Sequence, residues 1–461
     1  MAIKTYKIRA EVLLYSFSEG GKKIDLTPWI KTIDTEKNIN DSSGNFQISL
    51  LPVTEGENNL PWYYRITPMD YVEIRFTRDS TLTKIPIVMR GFVDSINRTA
   101  TVDQNGAPLR GYTITGRDFG KILELSRIYY LKEILPDVVL MGLPGFKMLE
   151  EKFACKIEGT PGKSIEAILG IAQVQLDLIR AKQPYIPQIE SLTSSTIEGY
   201  INQFSMTMED GSVWDLMRYF DNTPWNELFL LDLKDAPTLI FRETPWKNLD
   251  QNNSYIQTMD DTIKKKTLEP GVEIEPSSIQ SFNLSRSDSE VKNYFFSYPV
   301  QTMMDSKTSF KVFAMGKVKS ETDTLENPYL IDHTDKNAGL DRFGFRRFEN
   351  TSEYFDKTLN DSNTVEFAKK LNLALVKAFK YNGLYESGSF TIKGNSDAVP
   401  GRYVTFQTNR STDPEFYISG VSHTLSFQAG AEHFLTTLMV QRGDGFLKSK
   451  EQIDSADVDY T

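Results

Sequence analysis

Apolar and polar residues alternate through much of the first 117 positions. In Gly44-Asn45-Phe46-Gln47-Ile48-Ser49-Leu50 every second side chain is apolar, which turns one face of a strand inward. Tyr71-Val72-Glu73-Ile74-Arg75-Phe76 alternates in the same way, and Arg9 to Tyr15 supplies a further strand. Ile85 to Arg98 and Leu109 to Thr115 flank Asp103-Gln104-Asn105-Gly106. An Asn-Gly pair between two such runs marks a hairpin, because both turn residues must tolerate positive φ. Short strands at this spacing predict a closed or nearly closed β-barrel over 1–117.

The period then lengthens. Asp118 is placed to cap a helix carrying Phe119, Ile122, Leu123 and Ser126 on one face. Lys163 to Arg180 repeats Ile165, Ile168, Leu169, Ile171 and Ala172 at helical spacing, and Val213 to Asp221 does so through Trp214, Leu216, Met217 and Phe220. The stretch 181–205 has little pattern and reads as a long excursion. These features make 118–235 a mostly helical domain. Leu228 to Phe241 reads as a hairpin around Lys234-Asp235. With Ile279 to Leu284, Val291 to Tyr298 and a turn-rich connector at 246–275, it makes 236–300 the first strands of a second barrel.

Residues 300–362 are polar and irregular. Thr364 to Tyr381 is helical, with Asn382-Gly383 as its stop, so 301–383 reads as an inserted domain ending in a helix. Strands at 385–393, 402–407, 416–427 and 433–442 complete the second barrel over 384–443. The polar tail 444–461 is expected to be mobile or ordered only by a partner. The fold class is therefore β-rich α+β, with two β-barrel domains separated by a mainly helical domain and an inserted segment.

The two β-rich ends resemble each other. Tyr71-Val72-Glu73-Ile74 matches Tyr403-Val404-Thr405-Phe406, and Gly91-Phe92-Val93-Asp94-Ser95 matches Ser419-Gly420-Val421-Ser422-His423. Tyr112 to Arg117 matches Thr437 to Gly443. Val72, Val93 and Ile114 are 21 residues apart, and Val404, Val421 and Leu438 are 17 apart, so shorter loops would explain the difference. Two like barrels per chain, in three chains, make six like units around an axis, and cyclic closure is the usual outcome for identical subunits.

Composition narrows the function classes. The chain has 461 residues, enough for several cores, and 12% are aromatic, as suits pleated surfaces. No apolar run reaches the ~20 residues of a membrane helix, so no membrane insertion is expected. The N-terminus lacks a signal-peptide layout, which makes the cytoplasm the expected site of synthesis. Cys155 is the only cysteine, and His333, His423 and His433 the only histidines, too few for a Cys/His metal cluster. The net charge of −10 is dispersed, which argues against gripping nucleic acid. An acidic channel wall would instead let a duplex slide past.

A set of motifs then carries a resemblance. Arg90-Gly91-Phe92-Val93-Asp94 runs to Thr115-Gly116-Arg117-Asp118, and Trp214-Asp215-Leu216 precedes Pro224-Trp225-Asn226-Glu227-Leu228. Thr238-Leu239-Ile240-Phe241-Arg242-Glu243-Thr244-Pro245, Ser285-Arg286-Ser287-Asp288-Ser289-Glu290-Val291-Lys292-Asn293-Tyr294 and Pro400-Gly401-Arg402-Tyr403-Val404 follow. In this order, over about 70–443, the chain resembles the baseplate hub proteins of contractile phage tails and related injection particles. These include the phage T4 hub and the late-control-D proteins. The specificity lies in the order, and the stretches 181–205 and 300–362 have no counterpart. The resemblance implies a structural virion protein of the tail baseplate, assembled in the bacterial host cytoplasm. It implies a homotrimer whose tube-like barrels give pseudo-sixfold symmetry. Its partners would be a hexameric tail tube protein, which it adapts to a central spike protein, and baseplate wedge proteins. DNA would pass through its channel during genome ejection without specific binding.

Chemistry in the sequence is sparse, and no catalytic, cofactor-binding or metal residue is assigned. Gly159-Thr160-Pro161-Gly162-Lys163-Ser164 is similar to a phosphate-binding loop, but Ile157 stands where that motif needs glycine, and Pro161 suits a helix start. His423 and His433 lie on neighbouring strands without further ligands. Asp215 and Glu227 are an acidic pair that a helix start and a turn account for. Lys264-Lys265-Lys266 reads as a solvated loop, and Arg286 and Asp288 as ion-pair partners within or between subunits. The competing readings are a tail-associated peptidoglycan hydrolase and a receptor- or glycan-binding tail module. The latter would expose Trp29, Trp62 and Trp225.

Overall fold

The computed structural model describes residues 7–51, 61–102, 108–129, 161–194, 210–233, 236–249, 254–299, 337–352, 361–406, 413–428 and 431–448. The Asn105-Gly106 turn, the Lys234-Asp235 turn, His333, Cys155, most of the polar insert and the end of the tail lie outside them. The protein is β-rich α+β, built on one sheet of thirteen strands. In chain order these are β1 (Arg9–Ser16), β2 (Lys22–Asp25), β3 (Ile30–Asn38), β4 (Asn45–Leu50), β5 (Tyr71–Thr77), β6 (Ile87–Val102) and β7 (Pro108–Asp118). A second set comprises β8 (Val272–Ile274), β9 (Ile279–Ser285), β10 (Glu386–Lys393), β11 (Tyr403–Phe406), β12 (Glu415–Gln428) and β13 (Ala431–Gly443). The spatial order is β9-β10-β13-β12-β3-β4-β7-β6-β5-β1-β2, with β11 pairing β12 and β8 running parallel to β11.

Each half of this sheet is rolled. Val12 and Leu14 of β1, Ile24 of β2, Ile33 of β3, Ile48 of β4, Ile74 of β5 and Ile114 of β7 share one core. A flat seven-stranded sheet could not bring its outer strands into one cluster; a twisted, curled one does. In the second half, Val272 and Ile274 of β8 share a core with Phe390, Val404, Ile418 and Leu438, and Leu284 of β9 packs against it.

Five strands of each half repeat in the same order, while the outer strands differ. β6 lies between β5 and β7, then β4, then β3; β12 lies between β11 and β13, then β10, then β9. A bulge at Asp94 separates the pairs Val93↔Gly116 and Ser95↔Thr115, and one at Ser419 separates Ile418↔Val440 and Gly420↔Met439. A second bulge falls at Lys31 in β3 and at Gln280 in β9. Aligning the bulges equates Val93 with Ile418, Tyr71 with Tyr403, Ile114 with Leu438 and Ile33 with Phe282. Backbone bonds agree: the Met69 amide donates to the Val93 carbonyl as the Gly401 amide donates to that of Ile418. Met69 and Gly401 also share positive φ, at +70° and +82°. The sequence match of Val93 to Val421 is thus corrected by three residues. Val421 is the counterpart of Ile96, because the bulge interrupts the alternation that the match relied on.

Between the halves, helices α1 (Gly120–Leu125), α2 (Pro161–Arg180) and α3 (Val213–Phe220) pack on Tyr71 and Phe92 of the first half. Ser212 and Asp215 close a capping box at the start of α3. The hairpin Asn226–Asp232 and Pro237–Glu243 forms its own three-stranded sheet with Glu190–Thr193, a strand inside the patternless excursion. Helix α4 (Asp361–Phe379) packs on Trp225, Trp246 and Phe295.

The hairpin sheet is pinned to the second half by Arg242, which is fully buried. Its guanidinium donates to Glu227 Oε1 at 2.7 Å, Thr267 Oγ1 at 2.5 Å, the Gly401 carbonyl at 2.5 Å and the Tyr417 hydroxyl at 3.2 Å. Tyr417 in turn donates to Glu227 at 2.6 Å. Replacing Arg242 by alanine leaves a buried carboxylate and three further acceptors without this donor. Arg242→Ala is therefore expected to lower unfolding free energy by about 3–5 kcal/mol in urea titrations.

Candidate assembly interface

The two rolled halves meet edge to edge. Past the end of β11, β12 extends as an arm whose free edge pairs antiparallel with β3, from Gly420↔Asn38 through His423↔Thr35 and Leu425↔Ile33 to Ser426↔Thr32. Leu425 and Phe434, from the arm formed by β12 and β13, enter the core of the first half. Ile33 and Leu425 are both fully buried as a result.

Beside this joint, a buried ion cluster ties the first half to the hairpin sheet. Lys37 of β3 lies 2.8 Å from Asp118, at the end of β7, and 3.3 Å from Asp232 of the hairpin sheet. Arg90 of β6 closes the cluster, with its amide donating to Asp232 at 3.2 Å and its guanidinium to the Leu233 carbonyl at 3.2 Å. Burial alone would pull the Lys37 ammonium down, but the two carboxylates outweigh it and hold its pKa above the ordinary lysine range. Asp118 is a correction to the sequence reading. It accepts from the Gly120 amide at 2.8 Å, but its main place is this buried ion cluster rather than an exposed cap.

The remaining sheet edges differ in kind. At one end, β2 presents exposed Lys22, Lys23 and Asp25, the charged edge that discourages strand addition. At the other, β9 reads Ile279-Gln-Ser-Phe-Asn-Leu-Ser285, with no charge, and Phe282 is 65% exposed. Within β6, β5 covers the edge from Ile87 to Phe92. From Ser95 onward β6 is paired with β7 alone among the described residues, and Asn97 to Ala100 are exposed.

The residues singled out by chemistry go elsewhere. His423 is buried, its Nδ1 3.0 Å from Thr436 Oγ1, whereas His433 is exposed opposite Ser426, so the two histidines do not meet. Asp215 caps α3 and Glu227 neutralises Arg242. Gly162, in the second position of α2, has the Ser194 carbonyl 2.6 Å from where a Cβ would stand, which gives this glycine a packing reason. Lys264, Lys265 and Lys266 form the last turn of the short helix Asp261–Thr267. Asp288 pairs with Arg346 at 2.6 Å, while Arg286 lies over the ring of Phe446 at 3.5 Å. Trp62 and Trp225 are fully buried and Trp29 partly so, which removes the exposed tryptophans that a glycan platform called for. Among the described residues no three His, Cys, Asp or Glu side chains are grouped to hold a metal ion, and no helix is long and apolar enough to cross a membrane.

No family model matches the chain, and no curated protein matches it. Solved structures with a similar course include a tail protein from Neisseria meningitidis MC58, with a TM-score of 0.47 and 14% identity over 95% of this chain and 98% of that one. A 43 kDa tail protein of prophage MuSo2 from Shewanella oneidensis gives 0.46 and 12%, over 95% and 99%. A type VI secretion component of E. coli, described as structurally similar to the T4 tail proteins gp27 and gp5, gives 0.38 and 7%, over 94% and 77%.

His423 makes the joint sensitive to acid. Burial pulls its pKa down to about 3, against about 6.5 in the unfolded chain. The stability it contributes by staying neutral is fully present above the unfolded value and is lost as pH falls toward the folded one. The expected loss is up to about 1.4 kcal/mol per pH unit. Denaturant titrations from about pH 6 to about pH 4 check this, with His423→Gln expected to flatten the slope.

Proposed function

We propose that this chain is a structural baseplate hub subunit of a phage tail or phage-like injection particle. The observation that carries the reading is the duplication itself: two rolled β units of the same strand order and bulge positions, fused side by side through a sheet edge. Three such chains present six like units around an axis, the symmetry that a hexameric tube requires of its adapter, while keeping true threefold symmetry for a spike. The ordered motifs of the sequence, from Arg90-Gly91-Phe92 to Pro400-Gly401-Arg402, support the same assignment.

In this role the protein works by shape. One side of the ring docks the tail tube, the other seats the central spike, and wedge proteins surround it. DNA or effector passes through the channel without specific contacts, and the net charge of −10 favours a negative channel wall that does not retain phosphate. The buried charged groups around Lys37 and Arg242 hold strands together, as suits a structural part.

Averaged top views of the purified chain by negative-stain electron microscopy test the proposal. The expected image is a threefold ring with six lobes and an open centre, alone or after addition of tube protein. Particles without threefold symmetry in both preparations would overturn it.

A further inference from the structure

The joint inside the chain serves as a template for one between chains. β3 and the arm of β12 have counterparts in β9 and the arm of β6, and among the described residues neither counterpart has a further strand on its outer edge. We propose that the β9 edge of one copy of this chain pairs with the β6 arm of the next, in the register that the internal joint sets. This inference rests on the hub reading and specifies the contact by which its ring closes.

The register follows from the bulges. Gly420 corresponds to Ser95 and Leu425 to Ala100, while Ile33 corresponds to Phe282 and Thr35 to Leu284. The internal pair Leu425↔Ile33 therefore becomes Ala100 against Phe282 of the next copy, and His423↔Thr35 becomes Arg98 against Leu284.

Exposure agrees with a missing partner. Ile33 is fully buried because Leu425 lies opposite it, whereas Phe282, in the same place on the other half, is 65% exposed. Phe282 is not a stray surface residue, since its ring stacks on Phe390 of the core at 5.8 Å. An incoming strand at Ala100 would cover its open side. The edge also lacks the charges that guard β2, so nothing on it opposes pairing. The contact is heterologous, one surface meeting a different one, so it leads to a ring where its rotation closes rather than to a twofold dimer.

Site-specific cross-linking of the full chain tests the register. In a Cys155→Ser background, one preparation carries Ala100→Cys and another Phe282→Cys. Directly opposed strand residues lie within disulfide reach, so mild oxidation of the mixture is expected to give covalent dimer, and neither preparation alone should. Moving the first cysteine to Thr99 reverses the face and should abolish the product. The double variant Ala100→Cys/Phe282→Cys should close into a covalent ring. Phe282→Lys should convert assembled protein to monomer with its melting temperature retained, because the side chain is mostly exposed.

Threefold rings in the microscope without the Ala100–Phe282 product would overturn the strand pairing and leave the hub reading standing. A covalent ring of a copy number other than three would keep the pairing and overturn the hub reading. Assembly that survives Phe282→Lys unchanged, or a chain that stays monomeric in every preparation, would overturn the pairing.

Discussion

An uncovered strand edge carries a row of backbone donors and acceptors that must find partners, and this molecule is organised around how that requirement is met at β3. The arm of β12 supplies the hydrogen bonds, and Lys37 then fixes the place where the arm, the first half and the hairpin sheet come together. Its ammonium is held by carboxylates from two otherwise separate elements, Asp118 and Asp232, with Arg90 behind them. Burying such charges is favourable only when every member is present, since removing one partner of a buried pair typically costs about 3–5 kcal/mol. The cluster thus ties the first half to the hairpin sheet, which Arg242 in turn ties to the second half.

Duplication preserved backbone more strictly than side chains. Both halves bend at a left-handed residue before the Tyr-Val strand, using methionine in one and glycine in the other. Glycine is needed at 401 because a Cβ there would stand 2.7 Å from the ring of Phe229 and 3.1 Å from the Arg242 guanidinium. Met69 carries at its place the strain of a positive φ that glycine avoids. At the arms the divergence has a direction. Val421, His423 and Leu425 fill the internal joint, whereas Ile96, Arg98 and Ala100 stand in the open arm. A covalently fused joint can be permanently apolar, but an arm exposed before assembly has to remain soluble.

How much of this was legible depended on whether burial and apolarity coincide. β4 and β5 alternate cleanly, and the readings of β1, 85–98 and 416–427 overlap the strands found, Arg9–Ser16, Ile87–Val102 and Glu415–Gln428. Helices α2 and α3 follow their apolar stripes. β3 was invisible, because after Ile33 its inward positions are Thr35 and Lys37, polar groups that become buried only through partners remote in sequence. The strand Glu190–Thr193 escaped for a similar reason: its pairing with Pro237–Glu243 leaves no periodic trace. Arg242 and Glu227 were seen as members of motifs or as a turn residue, never as a pair, since nothing in the spacing reports a shared buried site. The repeat was readable to within three residues, and the bulge that caused the offset also fixed the true alignment.

A fused duplication would suit the proposed ring. A heterologous contact repeated by identical rotations either closes or winds into a filament, and the rotation decides which. When one such contact is covalently internal, its rotation is set within each subunit before any encounter. A following contact built from the same strands, with the same bulges setting twist at the same positions, reproduces that rotation. Closure then depends on a geometry that each folded chain already contains. Among the described residues the charged edge of β2 discourages strand addition, and the proposed route runs from β9 to the arm of β6.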